Sequence, residues 1–315
     1  MSAAVRGSLA GRLLAAWRAH WFAPAPLADL AVARVLLVAA VLYLDGSIRF
    51  LNVARAPAFT WDPIPLIEIL GIGQPTWEQL RWLRDATRLA LLAAAAGLFT
   101  NVALLSAFAL QLVQEGLLNC FGKVTHSTIP LLHAMLFFAC APCGRVLSVD
   151  AWLRRWRERR PLEQAVAPAS RLSRFARWPF ELLFVELAFY YFDAGLSKLS
   201  ASGLAWADGH TLQHHLLKYA SAPGSWVAPH LWLCAALSAG ALLFEVGFPL
   251  AIVVRRLRPW FLAAGVCFHI GNHLLLDLIF WPVLAVYPLV VPWSALARWL
   301  RTRLAPRVTS LARVG

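Results

Sequence analysis

At 315 residues, with 60% hydrophobic and 14% charged residues and a mean hydropathy of +0.63, the chain has an integral membrane protein's composition, not a soluble one's. Its net charge of +13 would suit nucleic acid, but the arginines cluster at predicted helix ends, where they report membrane orientation and contact with anionic lipid. No basic polar segment is interleaved with stacking aromatics, so nucleic acid is excluded as a partner.

Residues 1–26 carry Arg6, Arg12 and Arg18 beside Leu9, Leu13, Leu14, Trp17, Trp21 and Phe22, the pattern of an amphipathic helix lying on a membrane surface. No small-residue cleavage site follows, so the segment is not read as a cleavable signal. A first span is predicted over 27–44, with Asp29 and Arg34 either pairing at i, i+5 or snorkelling. Within the long connection 46–84, FTWDPIPLIEILG is apolar but too short and too proline-broken to span, and reads as interfacial or re-entrant. Two spans follow as a hairpin, 85–99 (extending back toward Trp77) and 101–120, and a fourth covers 128–147.

The connection 150–178 is the most basic stretch, and its proline and alanine argue against a folded domain. Span five is 179–198, span six 230–254, span seven 260–276 and span eight 278–293. A basic tail of eighteen residues follows Ala297. The expected fold is therefore an all-α bundle of about eight transmembrane helices (27–297), with an N-terminal amphipathic helix (1–26) and a basic tail (298–315). With the N-terminus inside, the cytoplasmic segments hold twenty of the twenty-nine Lys and Arg residues, which sets an N-in, C-in orientation.

The chain is organised around ELLFVELAFYYFDAGLSKLSASGLAWADGHTLQHH, from Glu181. Glu186, Asp193 and Lys198 lie in its hydrophobic part, where ionisable groups are costly and mark function. A lysine partly withdrawn from water loses charge stabilisation, and its neutral amine becomes a usable base. Tyr191, Gly195 and Lys198 fall at i, i+4 and i+7 on one helical face, the glycine leaving space beside the amine. The plainer reading is a lysine snorkelling to the headgroups.

The expected topology gathers His126, Lys198, and the loop histidines His210, His214, His215 and His230 on the outer side. His269, Asn272 and His273 share one face of span seven, and Glu245 lies within span six. Lone histidines in spans more often bond neighbouring helices, but several arriving with a lysine and carboxylates favour a site. HxxxHH at 210–215 and HxxxH at 269–273 also have the spacing of membrane di-iron His boxes. The spacing alone is weak, and no metal is expected. Cys140 and Cys143 form a CxxC with no second pair to complete a zinc site, and read as packed small residues.

Four ordered segments resemble the HTTM (horizontally transferred transmembrane) family, which includes the vitamin K-dependent gamma-carboxylase: HWFAPAPLADLAVARVLL, THSTIPLLHAMLFFACAPCGRVLSVDAWL, YYFDAGLSKLSASGLAWADGHTL and FHIGNHLLLDLIFWPVL. The resemblance covers about residues 20–297. It implies that Lys198 is the base toward a reduced quinone (a vitamin K-like hydroquinone) used with O2 and CO2, that His126 sits beside the lysine, and that His269 belongs to the same pocket. Tyr191, Asp193, Trp206, Glu245, Asn272 and His273 complete the expected pocket. The carboxylase has an asparagine where this chain has Thr125, and a large extramembrane domain where this chain ends. The chain thus reads as an enzyme of a bacterial cytoplasmic membrane with its site facing outward, acting on a hydrophobic quinol-like substrate among membrane lipids. The alternatives are a non-catalytic partner in peptide maturation, export or immunity, as in the Sdp-type relatives, and a di-iron oxygenase. In the first two readings a peptide or protein substrate, or a partner supplying its recognition, completes the system.

Overall fold

The structure is a computed structural model and describes residues 9–45, 50–122, 126–158, 171–219, 221–278 and 280–304. Arg6, Thr125, residues 159–170 of the basic connection and the tail beyond 304 lie outside them. The described chain is all-α apart from a two-residue antiparallel ladder, β1 (Ala25–Pro26) with β2 (Leu172–Ser173).

The helices are α1 (Leu9–Phe22), α2 (Leu27–Leu44), α3 (Pro65–Ile69), α4 (Trp77–Ala96), α5 (Thr100–Leu118), α6 (Ile129–Ala139) and α7 (Val149–Arg157). They continue as α8 (Trp178–Ser202), α9 (His210–Lys218), α10 (Ala222–Val227), α11 (Leu231–Gly247), α12 (Leu250–Val253), α13 (Arg258–Leu276), α14 (Trp281–Leu284) and α15 (Trp293–Leu304). Among the described residues, Leu27–Leu44, Thr100–Leu118 and Arg255–Leu276 are long and apolar enough to cross a membrane. Trp281–Val290 with Trp293–Leu304 makes a fourth if the pair, bent by 65°, is one span. The chain is thus an integral membrane protein with several apolar helices.

α2 lies at the centre. Its sequence is apolar apart from Asp29 and Arg34, and it is enclosed on most of its surface: Leu30, Ala31, Ala33, Leu37 and Val38 are fully buried, whereas Val35 and Tyr43 are exposed. Around it pack α4, α6, α15 and the 3-10 turn Tyr287–Val290. α1 leaves Leu9, Leu13, Leu14 and Trp17 exposed, an apolar face without a protein partner among the described residues.

Several expectations are corrected. Arg34 neither pairs with Asp29 nor snorkels. It is fully buried and donates to the carbonyls of Cys143 (2.9 Å), Leu147 (2.7 Å) and Ala95 (3.4 Å), so one guanidinium serves backbone groups left open near the ends of α4 and α6. Asp29 instead accepts the Ser294 N–H at the start of α15 (2.7 Å). The helix at the expected second span, α4, begins at Trp77 behind a capping box of Thr76 and Gln79, and is not among the helices apolar enough to cross a membrane. The piece at 58–71 makes the short helix α3, whose Ile67 is buried in a cluster with Phe50, Leu51, Leu80 and Leu117 over the ends of α4 and α5. Pro249 divides span six into α11 and α12. Pro282, Pro288 and Pro292 break span eight, because each removes a backbone donor. The helix after the last break runs on to Leu304, past the expected start of the tail.

Candidate functional site

α8 and α11 approach closely at Gly195. A Cβ there would meet Val246 Cγ2 at 2.9 Å and Glu245 Cβ at 3.0 Å, so any side chain would push the helices apart. This contact brings the amine of Lys198 to Glu245. Lys198 Nζ donates to both carboxylate oxygens, at 2.7 and 2.8 Å, and to the Ala194 carbonyl at 3.4 Å. Glu245 is 3% exposed and the lysine side chain 23%. The indole of Trp206, in the 3-10 segment after α8, has its centroid 5.6 Å from Nζ, within cation–π range.

Two turns back from Lys198 on the same face, Tyr191 is fully buried between Phe244 and Phe248. Its hydroxyl lies 2.7 Å from His269 Nε2 on α13 and 2.6 Å from the Tyr287 hydroxyl. Gly265 makes room for Tyr287, whose hydroxyl occupies the space a side chain there would fill. Whichever His269 tautomer is present, its Nδ1 remains buried without a partner. Tyr191 packs on Phe244, the neighbour of Glu245, so the ion pair and the Tyr–His–Tyr chain adjoin where α8 meets α11.

The other expected residues are more scattered. His126 is exposed, with its ring 5.9 Å from that of Tyr190 and no contact with Lys198. Asp193 is exposed, and Asn272 is half-buried on α13. His273 Nδ1 lies 3.5 Å from Asp277, and its ring 5.6 Å from Trp281. His210, His214 and His215 are exposed on α9, with His215 stacked on Tyr219, while His230 Nδ1 lies 3.0 Å from the Trp226 carbonyl. His269 is buried elsewhere. Among the described residues no three His, Cys, Asp or Glu side chains gather as a metal site would require. All five cysteines are free thiols; Cys143 is buried, whereas Cys140 is exposed and not packed as expected.

Two residues escaped the sequence reading. Tyr287 lies in a stretch read as regular helix; a tyrosine between two prolines in an apolar span was the available signal. His133 on α6 lies 2.9 Å from Glu186 Oε1. Its partner was noted, but nothing local joins two residues so far apart in sequence. A concavity of about 700 Å³, lined by Ala54, Arg55, Gln74, Thr76 and Trp77, holds none of these groups.

Comparison with known proteins gives one family. The sequence model described as HTTM domain matches residues 22–294. No curated protein and no solved structure matches the chain.

Proposed function

We propose a function from the premise that this chain belongs to the HTTM domain family, whose domain is shared with the membrane part of the vitamin K-dependent gamma-carboxylase. In our reading it is a membrane enzyme of about eight spans, N-in and C-in, in a bacterial cytoplasmic membrane. Its base, Lys198, faces outward and acts on a quinol or another hydrophobic hydroxyl compound entering from the lipid, with O2 and CO2 as co-substrates in the carboxylase-like case.

The observation that carries this reading is the Lys198–Glu245 pair under Trp206, an ionisable couple inside apolar walls. Transfer of a proton from Nζ to Glu245 gives a neutral amine and a neutral acid, a redistribution that removes two charges from a poorly solvating site. The amine's lone pair then takes the proton of the substrate hydroxyl. That O–H bond breaks as an N–H bond forms, and the oxyanion is left beside the ammonium. The indole suits an aromatic substrate, and the free Nδ1 of His269 suits a polar atom on it.

Purified protein should retain a quinone detectable by mass spectrometry, and should turn over its reduced form. Lys198→Arg keeps the charge but cannot act as a base, so it should lower turnover about 10²–10⁴-fold while inserting normally. Full turnover by that variant would remove the lysine from the chemistry. Orientation is read separately: Ala205→Cys should react with an impermeant thiol reagent on intact cells, and Arg160→Cys should not.

A second reading has one specific support. Lys198, Glu245, Tyr191 and Tyr287 satisfy one another within the bundle, as residues that only pack helices would. The chain would then be a non-catalytic partner in peptide maturation, export or immunity. That reading expects Lys198→Arg to be near normal and Lys198→Met to insert poorly.

A further inference from the structure

Where α8 and α13 begin, a single carboxylate stands among four basic side chains. Glu181, 3% exposed, accepts from Arg258 Nη2 at 2.6 Å and Nη1 at 3.3 Å. Arg255 Nη2 stands 3.1 Å away, Arg177 Nε 3.4 Å, and His20 Nε2 of α1 3.3 Å. Arg255 also donates to His20 Nδ1 at 3.1 Å and to the His20 carbonyl at 3.0 Å. Nδ1 is thus an acceptor, Nε2 carries the hydrogen, and the ring is neutral. Burial first, and then the surrounding arginines, hold His20 below its ordinary pKa against the opposing pull of Glu181. Three guanidiniums therefore face one carboxylate, an excess of two positive charges.

The donors are unevenly used. Arg258 is fully engaged, with Nε on the Ala251 carbonyl and its plane over Phe184. Arg255 Nε is buried with no partner, and the Nη groups of Arg177 have none among the described residues. Both arginines remain partly open, with side chains 36% and 29% exposed. Beside them, β1–β2 pairing and an edge-to-face contact of Phe22 with Phe175 leave two exposed aromatic rings, and Arg171, Arg174 and Arg256 are exposed on the same connections. Unused guanidinium donors call for an oxyanion, and phosphate matches their geometry. An aromatic rim is of use only to a ligand that also brings acyl chains. A soluble anion would leave it bare.

We propose that Arg177 and Arg255 bind the phosphate of an anionic phospholipid, whose chains lie against Phe22 and Phe175, and that this lipid helps hold α1 against α8. The site stands apart from Lys198 and does not depend on the chain being an enzyme.

The test uses the full chain purified in neutral detergent, with retained lipid counted by native mass spectrometry and thermal midpoints read on added lipid. Phosphatidylglycerol should be retained through delipidation and raise the midpoint; phosphatidylcholine should do neither. Inorganic phosphate at the same concentration should leave the midpoint unchanged. Arg177→Gln with Arg255→Gln should weaken phosphatidylglycerol binding about tenfold to thirtyfold. Arg177→Gln alone, which removes only a 3.4 Å contact to Glu181, should fold and still show a loss. Equal retention of the two lipids by the unaltered protein overturns the proposal without any variant. So does undiminished binding by the folded single variant, and stabilisation by phosphate alone would make this a soluble-anion site instead.

Discussion

Around Arg34, where α4 ends and α5 begins, polar side chains bond to the backbone. Arg34 holds three carbonyls, Asn101 donates to those of Ala139 and Ala141, and Asp150 takes the N–H groups of Phe99 and Thr100, both at 2.8 Å. About 30 Å from the start of α8, at the level of Lys198, side chains bond instead to one another: Lys198 to Glu245, and Tyr191 to His269 and Tyr287. Groups bonded to helix ends are fixed by architecture, since every helix must satisfy its terminal amides and carbonyls. Groups bonded only to each other answer no such demand, and in an apolar setting their expense needs another explanation. This contrast is why the Lys198 region, and not the more heavily bonded Arg34 region, is the candidate for chemistry.

The contrast can be broken by substitution. The largest effect is expected at the ion pair. Glu245→Leu strands the lysine and should cost about 3–5 kcal/mol, read as a fall in thermal midpoint, whereas adding Lys198→Met should recover most of that stability and none of the activity. If the double variant stays as unstable as the single, the pair belongs with the architecture after all. Next comes Arg34→Lys. It should destabilise by about 2–4 kcal/mol, because an ammonium cannot fork across three carbonyls, and activity per folded molecule should be unchanged. No second side-chain change should rescue it, because its partners are backbone.

A smaller loss is expected at the tyrosines. Tyr191→Phe should cost about 1–3 kcal/mol by stripping partners from both His269 and Tyr287, and Tyr287→Phe about 1 kcal/mol; a double-mutant cycle read by thermal unfolding measures their coupling.

The smallest is Asp150→Asn, about 1 kcal/mol. Burial pushes the Asp150 carboxyl upward, but hydrogen bonds from Thr100 and Phe99 overcome it and hold the group below its ordinary value. Its contribution is therefore present above the unfolded carboxylate's pKa, about 3.9, and is lost as pH falls through the lower folded value. The difference in midpoint between the unaltered protein and Asp150→Asn should be constant near neutrality and shrink in acid.

How far the sequence could be read follows the same division. Lys198, Gly195 and Tyr191 stood out because their spacing is local to one helix, and their common face is the one turned to α11. Glu245 was noticed for being charged in an apolar run, but its pairing with a lysine 47 residues away has no local signature. Arg34 looked like a snorkelling residue because its partners lie 61, 109 and 113 residues on. The short helices of spans six and eight were readable from their prolines, yet the apolar count outweighed them. Tyr287 was lost with that error.

Arg34 also constrains how the protein is made. The first span leaves the ribosome carrying a guanidinium that hydrocarbon solvates badly, and its carbonyl at Leu147 is synthesised 113 residues later. Until the chain beyond α6 has been translated, that helix must wait where water or the insertion machinery can solvate the charge. The centre of the bundle is thus among the last parts of the amino-terminal half to be sealed. A truncation before residue 143 would leave the Arg34 guanidinium without the Cys143 and Leu147 carbonyls, and the first helix should insert less well for it.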